Sequence, residues 1–366
     1  MNIQWKQTDN YIFGTTNSTI NLKNKKIAAF DLDDTIVTPK SGKDFAENEN
    51  DWQLYPIAPK LIKLVADGYQ LVIISNQLGI TKGKVDPNVW KKKLENIINY
   101  IGLDFTIMCA LKDDPYRKPR TKLWDELVIG DKQTSFYCGD AGGLKKRKIN
   151  GQEISKDFSD TDLKFALNLG LKFIHRDEFV WDVKTLKFNL APIEIPKCKN
   201  PYKFKPNKPE MVINVGLPAS GKSSFAHKYL IPNDYHYVNR DTLKTPKRCL
   251  METEKALQQN KSVVIDNTNV TQEERKSYID LAKKYNIKCR CLLFTTSKEV
   301  CIHNNHFRNF ITNNEVFIIP QIVYNIMNKK YEEPQLKEGF TSIDKVDFNP
   351  EFNSDEDKRI YQMYYY

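Results

Sequence analysis

Apolar residues recur along this chain in two ways: as short, nearly unbroken runs, and as stripes in which only every third or fourth position is apolar. "KIAAFDLDDTIV", "LVIISNQLGI", "FTIMCALK" and "TSFYCGDAGG" are of the first kind, and their length and flanking turn residues predict buried strands. "IAPKLIKLVADGYQ", "NVWKKKLENIINYIG" and "KLWDELVI" lie between them and have helical spacing. Alternating strand and helix predicts a mainly parallel sheet with helices on both faces. From 191 to 210 the pattern breaks in "APIEIPKCKNPYKFKPNKPE", polar and proline-rich, which reads as a linker. Alternation then resumes through "MVINV", "SFAHKYL", "YHYVNRD", "PKRCLMETEKALQQN", "SVVIDNTN", "QEERKSYIDLAKKYN" and "KCRCLLFT". The expected division is therefore an α/β domain over 1–195, a linker over 196–210 and a second α/β domain over 211–366. The tail "YQMYYY" is too short to classify.

Composition agrees with two cores: 366 residues at 40% hydrophobic content exceed what one core commonly holds. A net charge of +10 and a pI near 9.0 point to a polyanionic partner, although a lysine-rich surface also serves solubility. Seven cysteines lack any CxxC pair, which fits a reducing compartment better than a disulfide framework or a zinc site. No apolar stretch approaches the eighteen or so residues of a membrane span, and "MNIQWKQTDN" lacks a signal-peptide core. The expectation is an intracellular protein without a membrane partner, with nucleus and cytoplasm both open. "KKRK" (145–148) reads either as a solvated loop or as an import signal. The asparagine- and lysine-rich composition is that of an AT-rich genome, which adds a viral replication site to those locations.

Chemistry enters the second domain at "GLPASGKSS", directly behind the strand "MVINV". A strand ending in G-x-x-x-x-G-K-S turns backbone amides inward and aims a helix N-terminus at the same point, so an anion fits there. Gly216 and Gly221 permit the tight backbone, Lys222 reaches the β and γ phosphates, and the Ser223 hydroxyl, followed by Ser224, suits magnesium. The expected ligand is ATP or GTP.

The first domain carries "DLDDT" (31–35) after its first strand. Asp31 and Asp33 flank Leu32 at the carboxyl edge of the sheet, where α/β sites form. Asp31 suits a nucleophile that takes a phosphoryl group as an aspartyl-phosphate, and Asp33 a general acid that later activates water. Ser75 and Asn76 end the next strand as hydrogen-bond donors for a phosphoryl oxygen, Lys118 of "YRKP" supplies positive charge, and Asp140 of "CGDAGG" completes a set of oxygen ligands for magnesium. Singly these residues also serve as turn formers, surface charges or helix caps. It is their order along one sheet that speaks for a site.

Together these segments are recognisable. The first domain resembles the haloacid dehalogenase-like phosphatases, and residues 26 to 346 are similar to the polynucleotide kinase 3'-phosphatase family of bifunctional DNA end-processing enzymes. The resemblance rests on "IAAFDLDDT", "SNQLGI", "YRKP", "GDAGG", "KDFSDTDLKFALNLGL", "VGLPASGKSSF", "VNRDTL", "SVVIDNTN", "HNNHFR" and "LKEGF". It implies an amino-terminal domain that removes 3' phosphates and a carboxy-terminal domain that transfers the γ-phosphate of ATP to 5' hydroxyls, so that strand breaks become ready for ligation.

By the same resemblance Asp31, Asp33 (through its backbone carbonyl) and Asp140 hold Mg2+, and Ser75 and Lys118 clamp the phosphate. Asp241 deprotonates the 5' hydroxyl, Arg240 and Arg275 contact substrate phosphates, and Arg308 faces the transition state from a lid-like segment. Asp157 is a second-layer candidate or a helix cap, and Asp266 a Walker B acid or a turn cap. Asp34 stands where the family motif has glycine, which adds negative charge near the metal and bears on the phosphatase rate. About thirty residues precede the phosphatase motifs, too few for the forkhead-associated domain of the animal enzymes, so no phosphopeptide scaffold is expected. A monomer acting on DNA ends is the expectation. RNA ends stay open, since no motif reads a 2'-hydroxyl. A small-metabolite kinase/phosphatase is the other enzymatic reading, and a non-catalytic end-binding module is disfavoured because Asp31, Asp33, Lys222 and Asp241 are all present.

Overall fold

A computed structural model describes residues 2–19, 21–43, 46–149, 151–184, 186–188, 190–191, 193–198, 202–312 and 315–366. The chain divides into two compact units, Met1–Ile193 with Met363–Tyr366, and Glu194–Gln362.

In chain order the strands of the first unit's large sheet are β1 (Gln4–Gln7), β2 (Tyr11–Thr15), β3 (Ile27–Phe30), β4 (Gln70–Asn76), β5 (Phe105–Ala110), β6 (Phe136–Gly139) and β7 (Lys172–His175). They lie side by side as β1-β2-β5-β4-β3-β6-β7. The five strands from β3 to β7 are parallel, and β1 and β2 add an antiparallel hairpin at one edge. Both faces of the parallel part are covered, which is why its strands read as unbroken apolar runs. In β3, Ala28 and Phe30 pack toward Leu61, Leu94 and Ile97, while Ile27 and Ala29 pack toward Trp124 and Phe165. The chain runs outward from β3 through β4 and β5, then returns to the other side of β3 for β6 and β7. That reversal opens a crevice beyond the carboxyl ends of β3 and β6, where ligands bind in such sheets.

The helix Pro87–Ile101 shows how local sequence builds one covering layer. Asp86 caps the amide of Asn88, proline opens the first turn, and Gly102 closes the helix with φ +72°. Its buried face is Trp90, Lys93, Leu94, Ile97 and Ile98.

The second unit has one five-stranded parallel sheet of β8 (Glu210–Val215), β9 (His236–Val238), β10 (Val263–Ile265), β11 (Lys288–Phe294) and β12 (Ser342–Val346), in the order β9-β10-β8-β11-β12. Met211, Ile213 and Val215 face one core and Val212 the other.

Four segments depart from the pattern reading. The hairpin β1–β2 lies in the stretch that precedes the phosphatase motifs, where a four-residue polar strand and a five-residue apolar one are too short to give a periodic signal. Within the basic run 145–148, Arg147 and Lys148 open a second hairpin, Arg147–Ile149 with Gln152–Ile154; Arg147 is ion-paired to Asp157 and Asp177 and Lys146 to Glu153, while Lys145, Lys146 and Lys148 are exposed. Residues 199–201 of the expected linker lie outside the described residues. Tyr202 and Phe204 pack on the second core, and Arg290 Nη2 donates to the Lys205 carbonyl at 3.0 Å. The tyrosine tail joins the first unit: Asn168 donates to the Tyr364 carbonyl at 2.7 Å and accepts from its amide at 2.8 Å, with Met363 and Tyr365 buried.

Candidate active sites

Asp31 is the first residue beyond β3, and its amide still donates to the Cys138 carbonyl, which fixes the carboxylate at the crevice. Lys118, buried to 3% exposure, donates from Nζ to Asp31 Oδ1 at 2.7 Å, to Asp162 Oδ1 at 2.8 Å and to the Tyr137 hydroxyl. Asp140 follows β6 and accepts from Thr35 Oγ1 at 3.2 Å. One carboxylate oxygen from each of Asp31, Asp140 and Asp162 falls within a 4.8 Å cluster. The strand end makes room for this: a Cβ on Gly139 would stand 2.2 Å from Asp162 Oδ2, so only glycine lets Asp162 in.

Three carboxylates and one ammonium leave the cluster short of positive charge. Burial, and then Asp162, push Asp31 up to about 7 even though Lys118 pulls it down. Burial also raises Asp140 well above the carboxylate range, with Asp162 and Asp31 adding to it. Burial opposes the Lys118 charge, but Asp162 and Asp31 outweigh it and hold this lysine above its ordinary value. An all-oxygen donor set in need of charge fits a hard divalent cation such as Mg2+.

Asp33 stands at the rim, with Oδ1 accepting from Lys93 and Oδ2 from Gln77, each at 2.8 Å. Ser75 is buried, with its hydroxyl accepting from Gln77 at 3.0 Å. Asn76 also has a structural role. Its side chain accepts from the Lys118 amide and donates to the Lys118 carbonyl, both at 3.0 Å, so it positions the lysine and keeps one N–H for another acceptor.

Asp34 has φ +56°, the left-handed conformation that accounts for glycine at this place in the family motif and that Asp tolerates better than most residues. Its carboxylate turns to Thr38 Oγ1 at 3.0 Å and its carbonyl takes Arg176 at 2.9 Å. Asp157 accepts from the amides of Gly142 and Leu144, from Arg147 and from His175, which fastens the glycine loop behind Asp140.

Sequence reasoning missed Asp162 and Lys93 as site residues. Lys93 had a readable signal, a lysine on the apolar stripe of the helix Pro87–Ile101. Asp162 had none, because its role depends on how closely its helix approaches β6.

In the second unit the loop after β8 holds Lys222 against itself: Nζ donates to the Leu217 carbonyl at 2.6 Å and to Ser220 Oγ at 3.3 Å. Burial lowers this lysine to about 8, partly offset by Asp266. Gly221 has φ +100°, and a Cβ on Gly216 would meet Ser220 Oγ at 2.9 Å and Phe294 at 3.0 Å, so both glycines are required by the backbone. A cavity of about 390 Å³ runs from Gly221, Lys222, Ser223 and Ser224 past Arg308 to Phe348. Arg308 lies on the helix Lys298–Ile311, and its buried Nε has no partner among the described residues.

Asp241 and Arg240 open a short helix capped by Asn239, and both are exposed, with no side-chain hydrogen bond or ion pair among the described residues. Asp266 is buried beside the loop, its two oxygens taken by Asn214 at 3.2 Å and Tyr237 at 2.6 Å. Arg275 requires a correction: it is fully buried, bidentate to Glu338 at 2.8 Å for both contacts, and bonded to the carbonyls of Asn269 and Glu332. With no exposed surface and all three guanidinium nitrogens bonded to the protein, it is not a phosphate contact. It lies on the apolar face Arg275, Tyr278, Ile279, Ala282, and that periodicity places it in the core.

Residues 26–180 match the family model described as polynucleotide kinase 3 phosphatase, and residues 211–334 that of an AAA domain. A protein of Acanthamoeba polyphaga mimivirus named as a bifunctional polynucleotide phosphatase/kinase is 36% identical over 387 residues, covering 94% of this chain and 90% of its own. The bifunctional polynucleotide phosphatase/kinase of Schizosaccharomyces pombe is 36% identical over 361 residues, covering 94% of this chain and 85% of its own. A 20.8 kDa protein of Autographa californica nuclear polyhedrosis virus is 41% identical over 162 residues, or 43% of this chain and 87% of its own. The chain belongs to the bifunctional polynucleotide phosphatase/kinase family.

Proposed function

We propose that this protein heals nucleic-acid ends, with DNA breaks as its substrate, using its first unit as a 3'-phosphatase and its second as an ATP-dependent 5'-hydroxyl kinase. The observation that carries the reading is the cluster of Asp31, Lys118, Asp140 and Asp162 at the topological switch point, with Lys118 and Asp162 buried. The phosphate loop in the other unit supplies the second activity.

In the phosphatase, Asp31 attacks phosphorus and Asp33 gives its proton to the departing 3' oxygen as the P–O bond breaks. Asp33 then takes a proton from the water that cleaves the aspartyl-phosphate, which frees Asp31 and inorganic phosphate. Ser75 and Lys118 hold the phosphoryl oxygens. Asp31, Asp140, Asp162 and the Asp33 carbonyl would hold Mg2+, which supplies charge neutralisation at the phosphate. The Phe158 ring, 99% exposed just after Asp157, offers a stacking surface for a terminal base.

In the kinase, Lys222 leaves the Leu217 carbonyl for the β and γ phosphates, Ser223 faces the magnesium that accompanies ATP, and Asp241 takes the proton of the 5' hydroxyl. Arg308 meets the charge of the transferring group, and Arg240 holds the strand's backbone. The net charge of +10 supports a polyanionic substrate.

Two separate oligonucleotides test this, one with a 3' phosphate and one with a 5' hydroxyl, each incubated with magnesium, ATP and the intact protein. Phosphate release from the first and γ-phosphate transfer to the second are expected. If both stay unchanged while a phosphorylated sugar is hydrolysed, the substrate class is a metabolite. A ribose-ended pair run in parallel shows whether the 2'-hydroxyl matters.

A further inference from the structure

One buried cation of the first unit has no part in the chemistry above. Lys93 sits on the apolar face of the helix Pro87–Ile101 and is 7% exposed. An ammonium in such a layer is costly unless paired. Its hydrogen-bond partner among the described residues is Asp33 Oδ1, at 2.8 Å. The other oxygen, Oδ2, accepts from Gln77 Nε2 at 2.8 Å, and the same amide nitrogen donates to Ser75 Oγ at 3.0 Å. The Asp33 side chain, 44% exposed and open to solvent, is thus held at both oxygens from two different elements.

We propose that Lys93, together with Gln77, is a positioning residue for the acid/base of the phosphatase. The proposal rests on the phosphatase reading above. A half-exposed aspartate left alone distributes over several rotamers. A general acid contributes only from within hydrogen-bond reach of the oxygen it protonates. Lys93 makes and breaks no bond. As the Asp31–P bond forms and the P–O3' bond breaks, the Asp33 proton passes to O3', and the carboxylate left behind already faces the Lys93 ammonium. A preplaced cation stabilises that charge without reorganisation. Gln77 links the same carboxyl to the phosphate-binding hydroxyl, so the proton donor and the phosphate clamp keep a fixed spacing.

The test separates proton delivery from folding and from phosphate binding by varying the leaving group. A 3'-phosphorylated oligonucleotide must expel an alkoxide that needs a proton, whereas p-nitrophenyl phosphate expels a phenolate that does not. In Lys93→Met, first-turnover cleavage of the oligonucleotide is expected to fall roughly 30-fold, with KM changed less than about threefold. The first-turnover nitrophenolate release is expected to change less than about threefold, and Lys93→Arg is expected to recover much of the loss. Gln77→Leu, at a less buried position, is expected to show the same selectivity and decides the matter if Lys93→Met does not fold. Equal losses on both esters, or a raised KM at unchanged kcat, overturn the positioning role. If the intact protein cleaves neither ester, the phosphatase reading itself fails and this role falls with it.

Discussion

The two sites of this protein are built on opposite plans. In the phosphatase unit every titratable side chain of the site is already engaged: Lys118 joins two carboxylates, Asp33 is held at both oxygens, and Asp140 takes a threonine hydroxyl. In the kinase unit Asp241 and Arg240 stand unpaired among the described residues, the Nε of Arg308 lacks a partner, and Lys222 rests on its own loop. The difference follows from where the charge comes from. On the mechanism proposed above the phosphatase carries its own nucleophile, so the anionic side chains must be stabilised before substrate arrives. On the same proposal the kinase receives both the phosphate and the acceptor from outside, and its cations would gain their partners with ATP bound. A prearranged site should therefore fail through its internal network, and an open one through loss of contacts made in the transition state.

The largest effect that sharpens this contrast is expected from Arg308→Ala. It should lower kcat for 5' phosphorylation on the order of 10³-fold while leaving phosphatase activity unchanged, as steady-state assays of both reactions would show. A drop of less than about threefold would remove Arg308 from the site. Next comes Arg275→Met, which leaves Glu338 buried without its partner. Denaturant unfolding of the second unit should lose about 3–5 kcal/mol, with little change in the KM for either kinase substrate at low temperature. A stable variant with a strongly raised KM would restore Arg275 as a phosphate contact.

Acidity should separate the sites in opposite senses. Asp31, raised to about 7, is protonated below that pH, and a metal ion must displace the proton. Magnesium half-saturation of the phosphatase should thus fall as pH rises from 6 to 8, by up to about tenfold per unit below 7. Lys222, lowered to about 8, is charged below that pH and neutral above it. The KM for ATP should therefore rise on the alkaline side of 8, and Lys222→Arg should flatten that rise because a guanidinium keeps its charge. Titrating both half-saturation constants across the same buffers checks the pair. The smallest effect is expected from Asp34→Gly. It relieves a positive φ but gives up the bond to Thr38, so thermal unfolding should shift by less than about 1 kcal/mol and phosphatase kcat by less than about threefold.

What the sequence disclosed, and what it withheld, follows the same physics. The parallel strands β3, β4, β6 and β8 were legible because burial on both faces writes an unbroken apolar run; Asp31 and Asp140 were legible because each directly follows such a run, and Lys222 because the glycine spacing after β8 marks a phosphate loop. The hairpin β1–β2 and the docking of the tyrosine tail on Asn168 were not, since a polar edge strand and a four-residue contact have no period. The role of Arg275 was misjudged, and the structural part of the role of Asn76 went unseen, for one reason. A polar residue type announces that it will make hydrogen bonds, but only packing decides whether the partner is a ligand or the protein's own backbone. Lys93 and Arg275 show the remedy, because each falls on the apolar stripe of its helix, and a charged residue there is paired internally.

The measurement that bears most directly on the two-plan account uses a nicked DNA duplex with a 3' phosphate and a 5' hydroxyl at the nick, with magnesium and labelled ATP. Intact protein, Asp31→Asn and Lys222→Ala are compared on this one substrate. Repair of both termini by the intact protein is predicted, with Asp31→Asn losing only phosphate removal and Lys222→Ala losing only phosphate transfer. Loss of both activities in either variant, or failure of the intact protein at both termini, would contradict it.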